Sequence, residues 1–176
     1  MRKLKNSELN RLSVESFKKA DKTPIVVVLD NIRSLNNVGS VFRTSDGLKV
    51  EKIVLCGITA SPPNKEIHKT ALGAEDSVDW EYFEKTEEAV NKLKEDNYTI
   101  CSIEQVENSV SLPDFEPQKD KRYAIILGNE VKGVQQKIVD MSDMSIEIPQ
   151  FGTKHSFNVS VTAGIVLWEL FCKLSK

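Results

Sequence analysis

Three polar stretches carry the residues whose types and spacing suit chemistry. The first reads NNVGSVFRTSDG, residues 36–47, and sets Asn37 and Arg43 six positions apart. On a helix starting near Val38, Arg43 lies in the second turn and can point back toward the strand ends, because helical side chains tilt to the N-terminus. A guanidinium there is a fixed fork of donors suited to phosphate; the plainer reading is a surface arginine paired with Asp46. The second stretch, LGNEVKG at residues 127–133, brackets Glu130 between Gly128 and Gly133 directly after an apolar run. Glycines at such a place let a backbone approach a ligand closely, while Glu130 reads equally as an acid at a helix N-terminus. The third runs from Ser145 to Phe171, SIEIPQFGTKHSFNVSVTAGIVLWELF. It is a short strand stopped at Pro149, a loop of polar and small residues, and a helix with Ser156 and Asn158 at its mouth. Such a mouth gathers hydroxyl, amide and unpaired backbone N–H groups in one small volume.

Each stretch has limits that narrow the chemistry. Ser156 or Asn158 alone would be an ordinary helix cap. Asn158, Ser160 and Thr162 together exceed what a cap needs, so some of them point inward or to a partner chain. Ala163 and Gly164 permit close packing of the same helix, here expected against a second subunit. The phosphate loop GxxxxGK[ST] is absent, because Val134 follows Gly133 where that pattern needs lysine, and the dinucleotide pattern GxGxxG does not occur. His155 beside Ser156 suggests a nucleophile–base pair, but adjacent side chains seldom face each other and no orienting acid can be named. Cys56, Cys101 and Cys172 are far apart in apolar runs and, with two histidines, form no metal set. Buried free thiols in a reducing cytoplasm are the simplest account.

The elements that must position these residues follow from periodicity. Residues 25–29, 52–56, 98–103 and 123–127 are apolar, largely β-branched runs, the mark of strands covered on both faces. Residues 78–83 and 145–148 add two further strands. Helical spacing is expected over 38–48, 66–73, 86–96 with Thr86 as its cap, 135–141 and 157–173. Residues 104–117, with Pro113 and Pro117, read as irregular. Strands alternating with helices predict an α/β fold with a mostly parallel sheet flanked by helices. In such sheets ligands sit beyond the carboxyl ends of the strands, where all three polar stretches lie.

Composition is that of a soluble domain: 40% hydrophobic, 28% charged, net charge -2. No signal peptide or apolar run long enough for a membrane span is present. Charge is uneven, since residues 1–22 hold seven cations against three acids. We therefore expect a basic, helical N-terminal extension over 1–22 and a single domain over 23–176, with the extension as the candidate for an anionic partner.

Taken together and in order, the three stretches resemble the motifs of the SpoU (TrmH-like) RNA 2′-O-ribose methyltransferases of the SPOUT superfamily. The resemblance spans Ile25 to about Phe171. It implies a C-terminal deep trefoil knot, S-adenosyl-L-methionine bound through groups near Ile103, Glu104, Gly128, Ile148, Ser156 and Phe157, and a homodimer. It implies methyl transfer to an RNA ribose, with Arg43 acting as base or as electrostatic stabiliser beside the donor bound by the partner chain. Asn37, Glu130, Ser156 and Asn158 would orient the reacting groups. Phe157 stands where the family more often has Leu or Met. The lack of a separate N-terminal RNA-binding domain favours tRNA over rRNA; an rRNA enzyme and a catalytically silent RNA-binding relative are the alternatives. No metal and no membrane are implied.

Overall fold

Strand β1 (Thr23–Asp30) has no polar face, and the structure shows why. Ile25, Val27 and Leu29 point into one apolar cluster and Val26 and Val28 into another, all of them fully buried. Successive side chains of a strand point to opposite faces, so a central strand covered on both sides must be apolar throughout. The structure, a computed structural model, describes residues 1–175. Lys176, with which the expected domain ends, lies outside them.

Among the described residues one seven-stranded sheet is formed by β1, β2 (Val50–Cys56), β3 (Asp79–Phe83), β4 (Tyr98–Ile103), β5 (Val110–Ser111), β6 (Arg122–Leu127) and β7 (Met144–Glu147). Their order across the sheet is β3-β2-β1-β6-β4-β7-β5, and every pairing is parallel. Helices α1 (Val14–Lys19), α2 (Leu35–Gly47), α3 (Lys65–Ala71), α4 (Ala74–Ser77) and α7 (Val159–Leu174) contribute to the cluster on one face. Helices α5 (Thr86–Glu95) and α6 (Gln136–Met141) cover the other. The expected α/β architecture is therefore observed, as three layers.

Several boundaries differ from expectation. Helix α2 begins at Leu35 rather than Val38, because Ser34 caps it by accepting from Asn37 N. Thr86 is the first residue of α5 rather than its cap; its hydroxyl donates instead to Asp30 Oδ1 at 2.6 Å. That aspartate is fully buried at the end of β1, where Gln135 N and Nε2 also donate to it. Within 104–117, Val110–Ser111 forms an edge strand against β7. In residues 1–22 only a 3-10 turn at Asn6–Glu8 and helix α1 are helical. The segment is anchored by Phe17, which is buried beneath the Lys22 ammonium 3.4 Å from its ring centroid. Among the described residues no helix is long and apolar enough to cross a membrane.

Candidate active site

The carboxyl ends of β1, β6 and β7 bring the three polar stretches together through side chains. Helix α2 carries Asn37 in its first turn, nearly buried. After β6 the chain turns back on itself: Asn129 N donates to Gly133 O and Gly133 N to Asn129 O, at 3.0 and 2.9 Å. Asn129 Oδ1 accepts from Val131 N and Lys132 N, which closes the turn and projects Glu130. The Glu130 carboxylate takes Arg33 N and Ser34 N at 2.9 Å each and Asn37 Nδ2 at 3.1 Å. Partial burial would push its pKa up, but the Arg33 and Ser34 N–H donors, then Asn37, outweigh that and hold it below the usual glutamate value.

Helix α7 supplies the third arm. Asn158 is its cap: Oδ1 accepts from Ser160 N, Ser160 Oγ and Val161 N. The amide's other end donates from Nδ2 to Asn37 Oδ1 at 3.1 Å. Glu130, Asn37 and Asn158 thus form one hydrogen-bonded chain joining three segments. Asn158 is both a cap and a cross-link, which answers why the helix mouth holds more polar groups than a cap needs.

Beside this chain opens a cleft of about 690 Å³ between the ends of β4, β6 and β7 and the start of α7. All six residues expected to hold a cofactor, Ile103, Glu104, Gly128, Ile148, Ser156 and Phe157, line it, as do Glu130 and Asn158. Gly133 takes a left-handed φ of +68°, and a Cβ there would collide with Glu104 Oε2. The Glu104 carboxylate lies so close because it accepts from Val134 N and Gln105 N at 2.9 and 3.0 Å. It fixes the far end of the glycine turn as Glu130 fixes the near end. Across the cleft, residues 150–157 leave their backbone N–H groups without a protein acceptor among the described residues. A wall of this kind can hold a polar ligand through its main chain, with Leu127, Val134 and Ile148 offering apolar surface to a ring.

Arg43 is not brought to this cleft. It lies six residues past Asn37 on another face of α2 and lines a smaller hollow of about 250 Å³ with Leu12, Val14 and Leu72. Its expected partner Asp46 instead accepts from Ser77 Oγ at 2.6 Å. Asn37 lies behind the cleft wall rather than in it. Of Ala163 and Gly164, the pair expected against a second subunit, the first differs from expectation. Ala163 is fully buried in this chain's own core, and the exposed stripe is Val161, Ile165 and Trp168.

Comparison with known proteins places this geometry. The profile of the SpoU rRNA Methylase family matches residues 24–168. The chain belongs to the SpoU family. Among SpoU relatives, an uncharacterized tRNA/rRNA methyltransferase of Borreliella burgdorferi is 30% identical over 89% of this chain and 67% of its own length. The 23S rRNA (guanosine-2'-O-)-methyltransferase of Neisseria meningitidis is 31% identical over 83% of this chain and 57% of its own. The chain thus spans roughly three-fifths of the curated relatives it matches. The crystal structure of the A. aeolicus TrmH/SpoU tRNA modifying enzyme superposes with a TM-score of 0.79, at 26% identity, over 92% of this chain and 80% of that one. An AdoMet-bound rRNA methyltransferase from Sinorhizobium meliloti shares the fold, with a TM-score of 0.80 at 22% identity over 90% of this chain and 60% of that one.

Four contributors to the site carry no signal in the sequence. Arg33 and Ser34 act only through backbone N–H groups, which no residue type signals. Gln105 and Gln150 both donate to His155 O, at 3.4 Å each. Their partners lie far apart or in a loop without periodicity.

Proposed function

We propose that this chain is an S-adenosylmethionine-dependent methyltransferase acting on a ribose 2′-hydroxyl of RNA, with tRNA as its substrate class, working as a cytoplasmic homodimer. The observation that carries the reading is the convergence of all six expected cofactor residues on one cleft, in a chain of the SpoU family. The donor set fits that cofactor: unpaired main-chain N–H groups along 150–157 suit its hydroxyl, carboxylate and ring-nitrogen acceptors, and the apolar floor suits adenine. When bound, S-adenosylmethionine supplies a methyl group on a sulfonium, an electrophile that needs a positioned oxygen nucleophile. Ile103, Gly128, Ile148, Ser156 and Phe157 would hold it. Glu130, Asn37 and Asn158 would keep the walls of the cleft at a fixed separation, since an in-line transfer tolerates little misplacement. The knotted threading implied by the resemblance is part of the same reading.

The dimer draws support from α7. Val161, Ile165 and Trp168 stand 49%, 36% and 58% exposed at i, i+4 and i+7, one apolar stripe facing outward. A second subunit on this stripe gives Arg43 a role beside a cleft that is not its own chain's, binding the acceptor's phosphate and stabilising the developing alkoxide. The tRNA assignment draws on the likeness to the A. aeolicus tRNA modifying enzyme. The test is incubation of the purified chain with isotope-labelled S-adenosylmethionine and either tRNA or rRNA transcripts, followed by mass spectrometry of the nucleosides. A 2′-O-methylnucleoside from tRNA supports the whole reading; one from rRNA alone corrects the substrate. Base methylation, or no label with no cofactor binding by calorimetry, overturns it.

A further inference from the structure

Most aromatic side chains of this chain are accounted for by its own packing. Phe17, Phe42, Phe115, Tyr98 and Tyr123 are buried, and Trp168 belongs to the apolar stripe of α7. Phe151 is the exception, 97% exposed in the loop after β7. It stands one residue past Gln150, which lines the cleft, and one before Gly152, where a Cβ would meet nothing within 4 Å. Phe151 is therefore at the mouth of the cleft, on the wall formed by residues 150–157. A phenyl side chain offers about 150–250 Å² for burial, and the chain itself covers almost none of it here.

The same mouth carries unmatched positive charge from three loops. Arg33 follows β1, Lys132 follows β6 and Lys154 follows β7, and all three are exposed. Arg33 serves Glu130 only through its main-chain N–H, and Lys132 serves Asn129 only through its own, so both charged groups stay free. None of the three makes an ion pair among the described residues. Elsewhere cations are matched: Lys52 and Lys92 with Glu81, Arg122 with Glu51, Lys137 with Glu87. Inside the cleft, Glu104 and Glu130 are occupied by N–H donors, and Glu147 is part of the lining. A polyanion is thus favoured across the mouth and disfavoured deeper in.

An open aromatic ring among free cations suits a single strand, since every base has a face to stack and phosphates flank it. In a duplex those faces are closed by neighbouring base pairs, so stacking recognition falls on loops, bulges and ends. A second copy of the chain docked on this mouth about a two-fold axis would bring the same three cations with it. Resting on the RNA activity proposed above, we infer that Phe151 stacks on an unpaired base beside the ribose to be methylated, while Arg33, Lys132 and Lys154 take the phosphates of neighbouring nucleotides. The chain thereby selects unpaired nucleotides over paired ones.

The test is fluorescence anisotropy on the full chain with two labelled RNAs of equal length, an oligoadenylate and a perfect duplex. The wild type should prefer the oligoadenylate. Phe151→Ala should weaken that binding by about 5–100-fold, Phe151→Trp should keep it, and neither should change affinity for the duplex. Lys132→Ala and Lys154→Ala should weaken both RNAs, each lowering the salt dependence of single-strand binding by about 0.7 in the log–log slope. Calorimetry should give Phe151→Ala an unchanged affinity for S-adenosylmethionine. Equal binding of oligoadenylate by Phe151→Ala and the wild type, or a wild type that prefers the duplex, overturns the inference. So does a lower mass of Phe151→Ala in sedimentation, which would assign the ring to a subunit contact. A wild type that shows the Phe151 effect but methylates no RNA upholds the surface and overturns the methyl-transfer reading; one that binds neither RNA overturns both.

Discussion

The side-chain amide of Asn158 donates to the side-chain oxygen of Asn37 across 121 positions of sequence, at 3.1 Å. Asn37 passes the connection on to Glu130. Two asparagines and a glutamate, each unremarked by its neighbours in sequence, thereby tie the start of α2, the turn after β6 and the start of α7 into one frame around the cleft.

Replacing Asn158 by alanine removes a helix cap and the cross-link together. We expect a loss of about 1 kcal/mol for the cap and a further loss of about 1 kcal/mol for the bond to Asn37. In a double-mutant cycle read by urea unfolding, Asn37→Ala and Asn158→Ala should be non-additive by at least about 0.5 kcal/mol. Strict additivity would show that the two amides do not share an interaction.

Glu130 makes stability depend on acid. Its folded pKa is lowered, partial burial being outweighed by the Arg33 and Ser34 N–H donors. A lowered folded pKa means that the unfolded chain binds the proton more readily. The contribution is therefore complete above the unfolded value, about 4.3, and drains away as pH falls below it through the folded value. Glu130→Gln should unfold at a lower temperature than the wild type at pH 7, with the difference narrowing below pH 4. A gap that widens on acidification would contradict the sign.

Gly133→Ala places a Cβ against Glu104 Oε2 at a left-handed φ of +68°. The strain is of order 1–3 kcal/mol and falls on the cleft wall. We expect weaker binding of S-adenosylmethionine by calorimetry, with far-ultraviolet circular dichroism unchanged. Gly152→Ala, where a Cβ meets nothing within 4 Å, is the control and should bind as the wild type does.

Arg43→Ala touches no hydrogen bond or ion pair among the described residues. Thermal stability should move by no more than about 0.5 kcal/mol, and cofactor affinity should hold, while methylation is lost. A variant that also lost cofactor binding within its own chain would place Arg43 elsewhere than the structure does.

Trp168 lies 58% exposed on α7, stacked at 6.1 Å on Phe171. Trp168→Glu sets a charge in the middle of the apolar stripe. Sedimentation should show a dimeric wild type and a monomeric variant that keeps its fold; equal masses would move the interface to another face.

How much of this was readable beforehand depended on distance along the chain. Strands β1, β2, β4 and β6 announced themselves because burial on both faces admits only apolar residues. The cap of α2 is local too, since a serine, Ser34, stands directly before Leu35. Asp30 was not legible. A carboxylate after a strand looks like a turn residue, and only the folded chain shows Thr86, Asn31 and Gln135 satisfying it. Edge strand β5, two residues long, has too few positions to display a period. The residues that line the cleft were named through the resemblance of whole stretches to a family pattern. The bonds between Glu130, Asn37 and Asn158 were not, since nothing in one segment names its partner in another.

The strand order has a consequence for synthesis. Strand β6 lies between β1 and β4, so Val27 pairs with Ile125 and Cys101 with the same Ile125 from the other side. A nascent chain can join β1, β2 and β3 early, but the inner edge of β1 then stays open, with its main-chain groups unpaired, until residues 122–127 leave the ribosome. Such an edge recruits other strands, and long-range parallel pairing is slow. The opened half-sheet is thus the species most exposed to aggregation. A nascent chain arrested before residue 122 should be captured by chaperones, and extension by one strand should release it.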